Sequence, residues 1–184
     1  MRHKRLNFFA NAFLLATLST SSLAQTRNIE WVELLPDEER EALLSAPPLN
    51  HEGGDTGPPP APVLRSTNEA FGGDAFSQAM ISANVRPELN GENVRLPGFV
   101  VPIEYDENQN VTEFFLVPYF GACIHMPPPP PNQIIYVAFP EGLELPSIYE
   151  PYTVEGQLTT STTSNDLALS AYRIDAVTVT IYRE

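Results

Sequence analysis

The chain has 184 residues and is strongly acidic, with 23 acidic residues against 10 basic ones and a formal net charge of −13. Three of the ten basic residues lie before residue 25, so the remaining chain carries seven arginines, no lysine and a formal charge of −16. Proteins that bind nucleic acids or anionic membranes neutralise phosphates with Lys and Arg, so this composition argues against both functions.

The first 24 residues have the three-part pattern of a cleaved secretory signal. A basic start is followed by an apolar centre from Phe8 to Leu18 and by small residues that end at Ala24. The apolar centre is shorter than the ~20 residues that a membrane span requires. We therefore predict a signal peptide over residues 1–24 and a periplasmic or secreted mature protein, with no membrane insertion after cleavage.

Residues 25–46 are predicted to be an N-terminal segment that anchors itself on the following domain. Trp31 lies in an apolar cluster and is expected to be an anchor, with binding of a partner by an exposed Trp31 as the alternative. Pro36 followed by three acidic residues is typical of a helix start, because acids favour the positive end of the helix dipole. Leu43 and Leu44 are expected to pack this short helix onto the domain.

Residues 47–64 form a linker rich in Pro and Gly, which buries little surface and in which His51 is expected to be solvated. The remaining residues, 65–184, are predicted to form one β-barrel domain with its core in 87–184. A short helix before the core is predicted to present Phe76, Met80 and Ile81 on one face.

Five short strands separated by turn signals are predicted after residue 87. Their sequences are NVRLPGFVVPIEYD, VTEFFLVPYF, QIIYVAFP, YTVEGQLTTS and SAYRIDAVTVTIY. Pro97 and Pro102 restrict the first to an edge or bulged strand. Five strands in about 100 residues predict a mainly all-β fold, a small OB-like antiparallel barrel, with a β-sandwich as the alternative. The basic residues that an OB fold uses to bind single strands are missing.

The stretch GACIHMPPPPPNQ, residues 121–133, joins the second and third predicted strands. It contains the only cysteine, Cys123, which has no disulfide partner within the chain. In an extended backbone Cys123 and His125 point to the same side. The prolines that follow favour a rigid polyproline helix; they are Pro127, Pro128, Pro129, Pro130 and Pro131.

Three kinds of chemistry fit this spacing and stay open. A thiolate and an imidazole are ligands for Zn²⁺ or Cu(I), with Met126 a candidate third ligand and His51, Tyr119 or a carboxylate as further ones. Cys123 activated by His125 is alternatively a nucleophile for a thiol-dependent enzyme or redox protein. A third interpretation is structural, because cysteine is among the most frequently buried residue types.

Several stretches together resemble a family of exported bacterial proteins with a domain of unknown function. They are IEWVELLP, LPGFVVPIE, VTEFFLVPYFGACIHMPPPPPNQIIYV, VEGQL and SAYRIDA. The resemblance implies an exported domain associated with ABC-type transporter components, which favours an accessory or binding role over catalysis. We therefore predict a non-enzymatic envelope protein with a ligand or partner site at Tyr119, Phe120, the proline run, Asn132 and Gln133, and with Cys123 and His125 as candidate metal ligands.

Overall fold

Five long strands and three very short ones account for most of the regular structure in the computed structural model, which describes residues 25–44, 75–122 and 129–183. The strands are β1 (Arg27–Asn28), β2 (Asn93–Tyr105), β3 (Val111–Val117), β4 (Ile135–Leu143), β5 (Pro151–Thr159), β6 (Thr163–Ser164), β7 (Leu169–Ser170) and β8 (Tyr172–Ile181). The described helices are α1 (Asp37–Leu44) and α2 (Ala75–Ala79), and 3₁₀ turns cover Trp31–Leu34, Pro87–Leu89 and Pro131–Gln133.

The five long strands close into a barrel. Strand β2 pairs with β3 and also with β5, while β3 pairs with β4, β4 with β8, and β8 with β5. This closure confirms the small all-β barrel predicted from the sequence and rules out the sandwich alternative for the described residues. Four of the five long-strand pairs are antiparallel, and one departs from that pattern, because β4 and β8 run parallel. A closed ring with an odd number of strands cannot alternate direction all the way round, so one parallel pair is required.

Strand β2 closes the barrel because its two halves pair with different neighbours. Residues 93–99 pair with β5, and residues 99–105 pair with β3, so the two ladders overlap only at Phe99. Pro97 lies in the half that pairs with β5, and Pro102 lies in the half that pairs with β3. Each proline therefore has only one long-strand partner, and its missing N–H is tolerated. The register shifts just after Pro102, which confirms the predicted bulge.

The barrel interior is filled by apolar side chains from all five strands, with Leu96, Phe114, Val137, Leu158 and Ile174 among those with no exposed surface. Trp31 closes one side of this core: its indole N–H donates to the carbonyl of Pro97 at 2.7 Å. A Cβ at Gly98 would stand 2.9 Å from the Trp31 ring and 2.8 Å from Leu116. Because Gly98 has no side chain, the ring of Trp31 can pack directly against the backbone of β2 at this position.

The helices agree only in part with the sequence prediction. Helix α1 begins at Asp37 with three acids in its first turn, as expected. Its buried residue is Ala42, and Leu44 is 76% exposed, so the prediction that Leu44 packs onto the domain is wrong. Helix α2 buries Ala79, and Ile81 lies beyond its end and is largely exposed, because the helix stops before a full apolar face forms. Neither described helix is long and apolar enough to span a bilayer.

A second apolar cluster covers the outer face of β3 and β4, so these strands are buried on both sides. Its buried members are Phe115, Val117, Ala122, Ile134 and Tyr136. The guanidinium of Arg173 lies 5.1 Å from the centre of the Tyr136 ring. Burial, together with the Glu113 carboxylate, raises the pKa of Tyr136 to about 12, against an opposing effect of Arg173.

We expect this buried tyrosine to make the protein sensitive to alkali. A folded-state pKa above the unfolded value of 10.0 means that the contribution of Tyr136 is fully present below pH 10 and is lost as the pH rises towards 12. The loss is at most about 2–3 kcal/mol. Urea denaturation over this pH range will measure it.

The Tyr136→Phe variant is the control for this pH dependence. It removes the ionisable hydroxyl, so its stability will fall less steeply between pH 10 and 12 than that of the wild type. Burial raises the pKa of Tyr152 and Tyr172 in the same direction, so part of the slope will persist. Equal slopes in the two proteins would contradict the assignment to Tyr136.

Candidate functional site

The loop predicted as the functional site leaves and re-enters the barrel at buried positions. Gly121 has a φ of +80°, a conformation that favours glycine, and Ala122 beside it is 1% exposed. At the other end Pro129 and Pro130 are buried, and Pro131 begins a 3₁₀ turn that leads into β4. Cys123, His125, Met126, Pro127 and Pro128 lie outside the described residues. Both ends of the segment that carries Cys123 and His125 are therefore fixed on the barrel.

Asn132 and Gln133, predicted to surround the loop site, are turned inwards. The Asn132 amide is fully buried and its Nδ2 donates to Oε2 of Glu39 at 2.6 Å and to the carbonyl of Asn84 at 3.0 Å. The Gln133 amide Nε2 donates to the carbonyl of Trp31 at 2.9 Å. Both amides thus hold the N-terminal segment against the base of the proline run.

Glu39 is the centre of this hydrogen-bond cluster. Its Oε1 accepts from the Ser82 hydroxyl at 2.6 Å and from the Asn84 amide at 2.7 Å, while its Oε2 accepts from Asn132. The acids after Pro36 were expected to interact with the helix dipole only, and this role of Glu39 was not predicted. The cluster joins residues that are far apart in the chain, so no local pattern reveals it.

A tyrosine supplies the second connection between the N-terminal segment and the barrel. The hydroxyl of Tyr172, on β8, donates to the carbonyl of Leu34 at 2.8 Å and accepts from the backbone N–H of Arg86 at 2.7 Å. Burial raises the pKa of Tyr172, so the hydroxyl stays protonated and able to donate. Its presence in the stretch SAYRIDA is the only sequence signal for this role.

Exposed aromatic side chains lie at the start of the loop. The centre of the Phe120 ring lies 4.8 Å from that of Tyr149, with the two rings tilted by 41°. It lies 6.1 Å from the centre of the Phe99 ring, in an edge contact. Tyr149 is 70% exposed, and Tyr119, Phe120 and Ile148 are each about two-fifths exposed. We call these four residues, Tyr119, Phe120, Ile148 and Tyr149, the aromatic patch. A small apolar pocket of about 60 Å³ lies between Phe120 and β2.

A second apolar surface lies at the end of the loop. It is a groove of about 280 Å³ lined by Met80, Ile81, Pro129, Pro131, Ile134, Leu167, Ala168 and Leu169, which we call the apolar groove. Ile81 and Leu167 are each about 60% exposed. Neither this groove nor the pocket beside Phe120 has a charged residue in its lining. The aromatic patch therefore adjoins one fixed end of the segment 123–128, and the apolar groove adjoins the other.

The described residues contain no group of three or more His, Cys, Asp and Glu side chains placed to hold a metal ion. Cys123 and all three histidines lie outside the residues that the structure describes. The assignment of Cys123, His125 and Met126 as metal ligands thus stays a prediction.

Comparison with known proteins confirms the family resemblance. A family model described as "Protein of unknown function (DUF3299)" matches residues 31–181. The crystal structure of a DUF3299 family protein from Pseudomonas aeruginosa has 39% sequence identity and a TM-score of 0.62, covering 87% of this chain and 98% of that one. The chain belongs to the DUF3299 family. No curated protein matches it.

A small single-stranded DNA-binding protein from Streptomyces coelicolor is a weaker structural match. It has 16% identity and a TM-score of 0.28, covering 50% of this chain and 95% of that one. A TM-score this low does not indicate a shared fold or a shared function.

We expect the buried amide of Asn132 to be a major contributor to stability. The Asn132→Ala variant removes two partly buried hydrogen bonds and one of the three donors to Glu39, at a cost of about 2 kcal/mol in the free energy of unfolding. Chemical denaturation measures this cost. The control is Asn108→Ala, whose side chain lies in the exposed β2–β3 turn and whose replacement will change stability by less than about 0.5 kcal/mol. Similar losses in both variants would show that the cluster contributes little.

Proposed function

We propose that this DUF3299 protein is a non-enzymatic binding or accessory protein of the bacterial cell envelope, and that it binds a protein partner at the loop of residues 119–131. The observation that carries the proposal is the exposure of two apolar surfaces, the aromatic patch and the apolar groove, at the two fixed ends of this loop. Exposed apolar surface of this kind is typical of a site for protein contact.

The residue types in both surfaces support a protein partner. Tyr, Phe and Met are enriched at protein interfaces, and charged residues are depleted at interface centres. Pro130 has φ −60° and ψ 153°, which are polyproline II values. A polyproline segment loses little conformational entropy on binding, because its shape is already formed.

The envelope location and the kind of partner rest on the sequence. The signal-like N-terminus supports export, and the family resemblance implies an association with ABC-type transporter components. We therefore infer that the partner is a component of an envelope transporter. A partner that binds this loop must accept burial of uncharged surface, in contrast to the strongly acidic remainder of the chain.

Site-specific photo-crosslinking in the bacterial host tests this proposal. A photoreactive residue at Phe120, in the aromatic patch, and one at Leu167, in the apolar groove, are expected to capture the same envelope transporter component. The control position is Glu107, which is exposed in the β2–β3 turn and will not capture it. Adding Phe120→Asp will reduce capture from position 167, because a charge would be buried in the interface.

Two results would contradict the partner proposal. One is the absence of a transporter component at both test positions. The other is equal capture from Glu107, which would indicate contact without a defined surface.

The second candidate function is binding of a soft metal ion at Cys123 and His125. It is favoured by the position of Cys123 and His125 in the sequence between two buried residues, Ala122 and Pro129, which fix both ends of the segment that carries them. A segment with both ends fixed loses less conformational entropy when its side chains bind a metal ion. Zn²⁺ and Cu(I) fit these donor types.

Metal analysis of the mature protein, purified without chelator, tests the metal function. We expect about one equivalent of zinc or copper in the wild type and its loss in Cys123→Ser and His125→Ala. Native thiol titration then measures access to Cys123 after chelation. Unchanged, substoichiometric metal in all three proteins, with a thiol that reacts only after denaturation, would assign Cys123 a buried structural role instead.

A further inference from the structure

A large concave surface of the described residues lies on a different face of the barrel. It has a volume of about 610 Å³ and is formed where β1 and the outer faces of β2, β5 and β8 meet. Its polar lining consists of Asn28, Arg95, Thr153, Thr180, Tyr182 and Arg183. We call this surface the arginine groove. It shares no residue with the aromatic patch or with the apolar groove.

The charge of the arginine groove is opposite to that of the chain. The chain has a formal charge of −13, yet the described residues that line this groove include two arginines and no Asp or Glu. Five of the six arginines in the described ranges form an ion pair with a carboxylate. Arg183 is the exception, since no described residue pairs with it. An arginine without a carboxylate partner is unusual where acidic residues outnumber basic ones by more than two to one.

The second arginine of the groove is partly neutralised. Arg95 donates through Nε and Nη2 to the carboxylate of Glu155 on β5. Its Nη1 has no hydrogen bond to a described residue. Arg95 therefore retains donor capacity, whereas Arg183 has no carboxylate partner among the described residues.

Neutral hydrogen-bond donors surround the two guanidinium groups. Thr153 and Thr180 are directly opposite each other on β5 and β8, which places their hydroxyls on the same face. Neither hydroxyl has a hydrogen bond to a described residue, and the same holds for the Tyr182 hydroxyl and the Asn28 amide. Among the described residues, the groove thus combines one arginine that has no carboxylate partner with four neutral side chains that have no hydrogen-bond partner.

This combination matches the chemistry of an oxyanion. Arginine presents a planar fork of N–H groups that fits the paired oxygens of a carboxylate or a phosphate, and such charge-assisted bonds are about twice as strong as neutral ones. We propose that the arginine groove binds the carboxylate or phosphate group of a small ligand, with Arg183 as the principal contact and Arg95 and the two threonine hydroxyls as secondary ones. Ile29, Pro97 and Ile181 supply an apolar side for the rest of the ligand.

Calorimetric titration of the mature protein tests this proposal with glycerol 3-phosphate and succinate as probes and glycerol as the uncharged control. We expect at least one anion to bind with a dissociation constant of about 1 mM or lower, and glycerol not to bind. Arg183→Gln will weaken binding about tenfold or more, because it removes the unpaired charge. Glu155→Gln will strengthen binding, because it frees the guanidinium of Arg95.

Arg40→Gln is the matched control, since it changes the net charge by the same amount on helix α1, away from the groove. Thr180→Val is a second variant that leaves the charge unchanged and will weaken binding about threefold. Vesicles of phosphatidylglycerol distinguish the source of the anion. Binding to vesicles that depends on Arg183 indicates a lipid headgroup, and binding of the soluble anions alone indicates a free metabolite.

Two outcomes would overturn the proposal. The first is no binding of either anion to the wild type. The second is an equal loss of binding in Arg183→Gln and Arg40→Gln, which would show a general effect of net charge.

Discussion

The buried amides of Asn132 and Gln133 hold the N-terminal segment on the barrel, and the position of the loop depends on them. Through Glu39 and the Trp31 carbonyl they fix helix α1 and the preceding 3₁₀ turn at the base of the proline run. Tyr172 adds a second connection from β8 to the same segment. Since several hydrogen bonds converge on the partly buried carboxylate of Glu39, the end of the proline run and the N-terminal segment are held together.

Barrel closure explains where the two ends of the loop lie. A ring of five strands needs one parallel pair, and that pair is β4 with β8. The chain therefore leaves β3, forms the loop and returns as β4 directly beside the strand that carries Tyr172. The turn of Pro131–Gln133 lies at this junction, where the backbone N–H of Ala171 donates to the Pro131 carbonyl at 2.9 Å. Closure of the barrel and anchoring of the loop thus use the same few residues.

The number, order and approximate bounds of the long strands were predictable from the sequence, because alternating apolar residues and turn signals are local. The direction of β8 relative to β4 was not, since it follows from closure of the whole ring. Trp31 was identified as an anchor from its apolar surroundings, whereas Glu39 was not identified, because its three donors come from positions 82, 84 and 132. Asn132 and Gln133 were assigned to the loop site by their position beside the prolines. Which way an amide side chain turns depends on partners that are distant in the chain.

The distribution of charge separates the two proposed sites physically. The aromatic patch and the apolar groove have no charged lining residue, so a partner there would be held by burial of apolar surface, which salt does not screen. In the arginine groove, Arg183 lies at an exposed surface, so attraction of an oxyanion would weaken as the ionic strength rises. The acidic remainder of the chain opposes the approach of any anion, so the groove requires short contacts with Arg183 and the neighbouring hydroxyls. The chain would therefore select a partner by shape and apolar area on one face, and an anion by local geometry on the other.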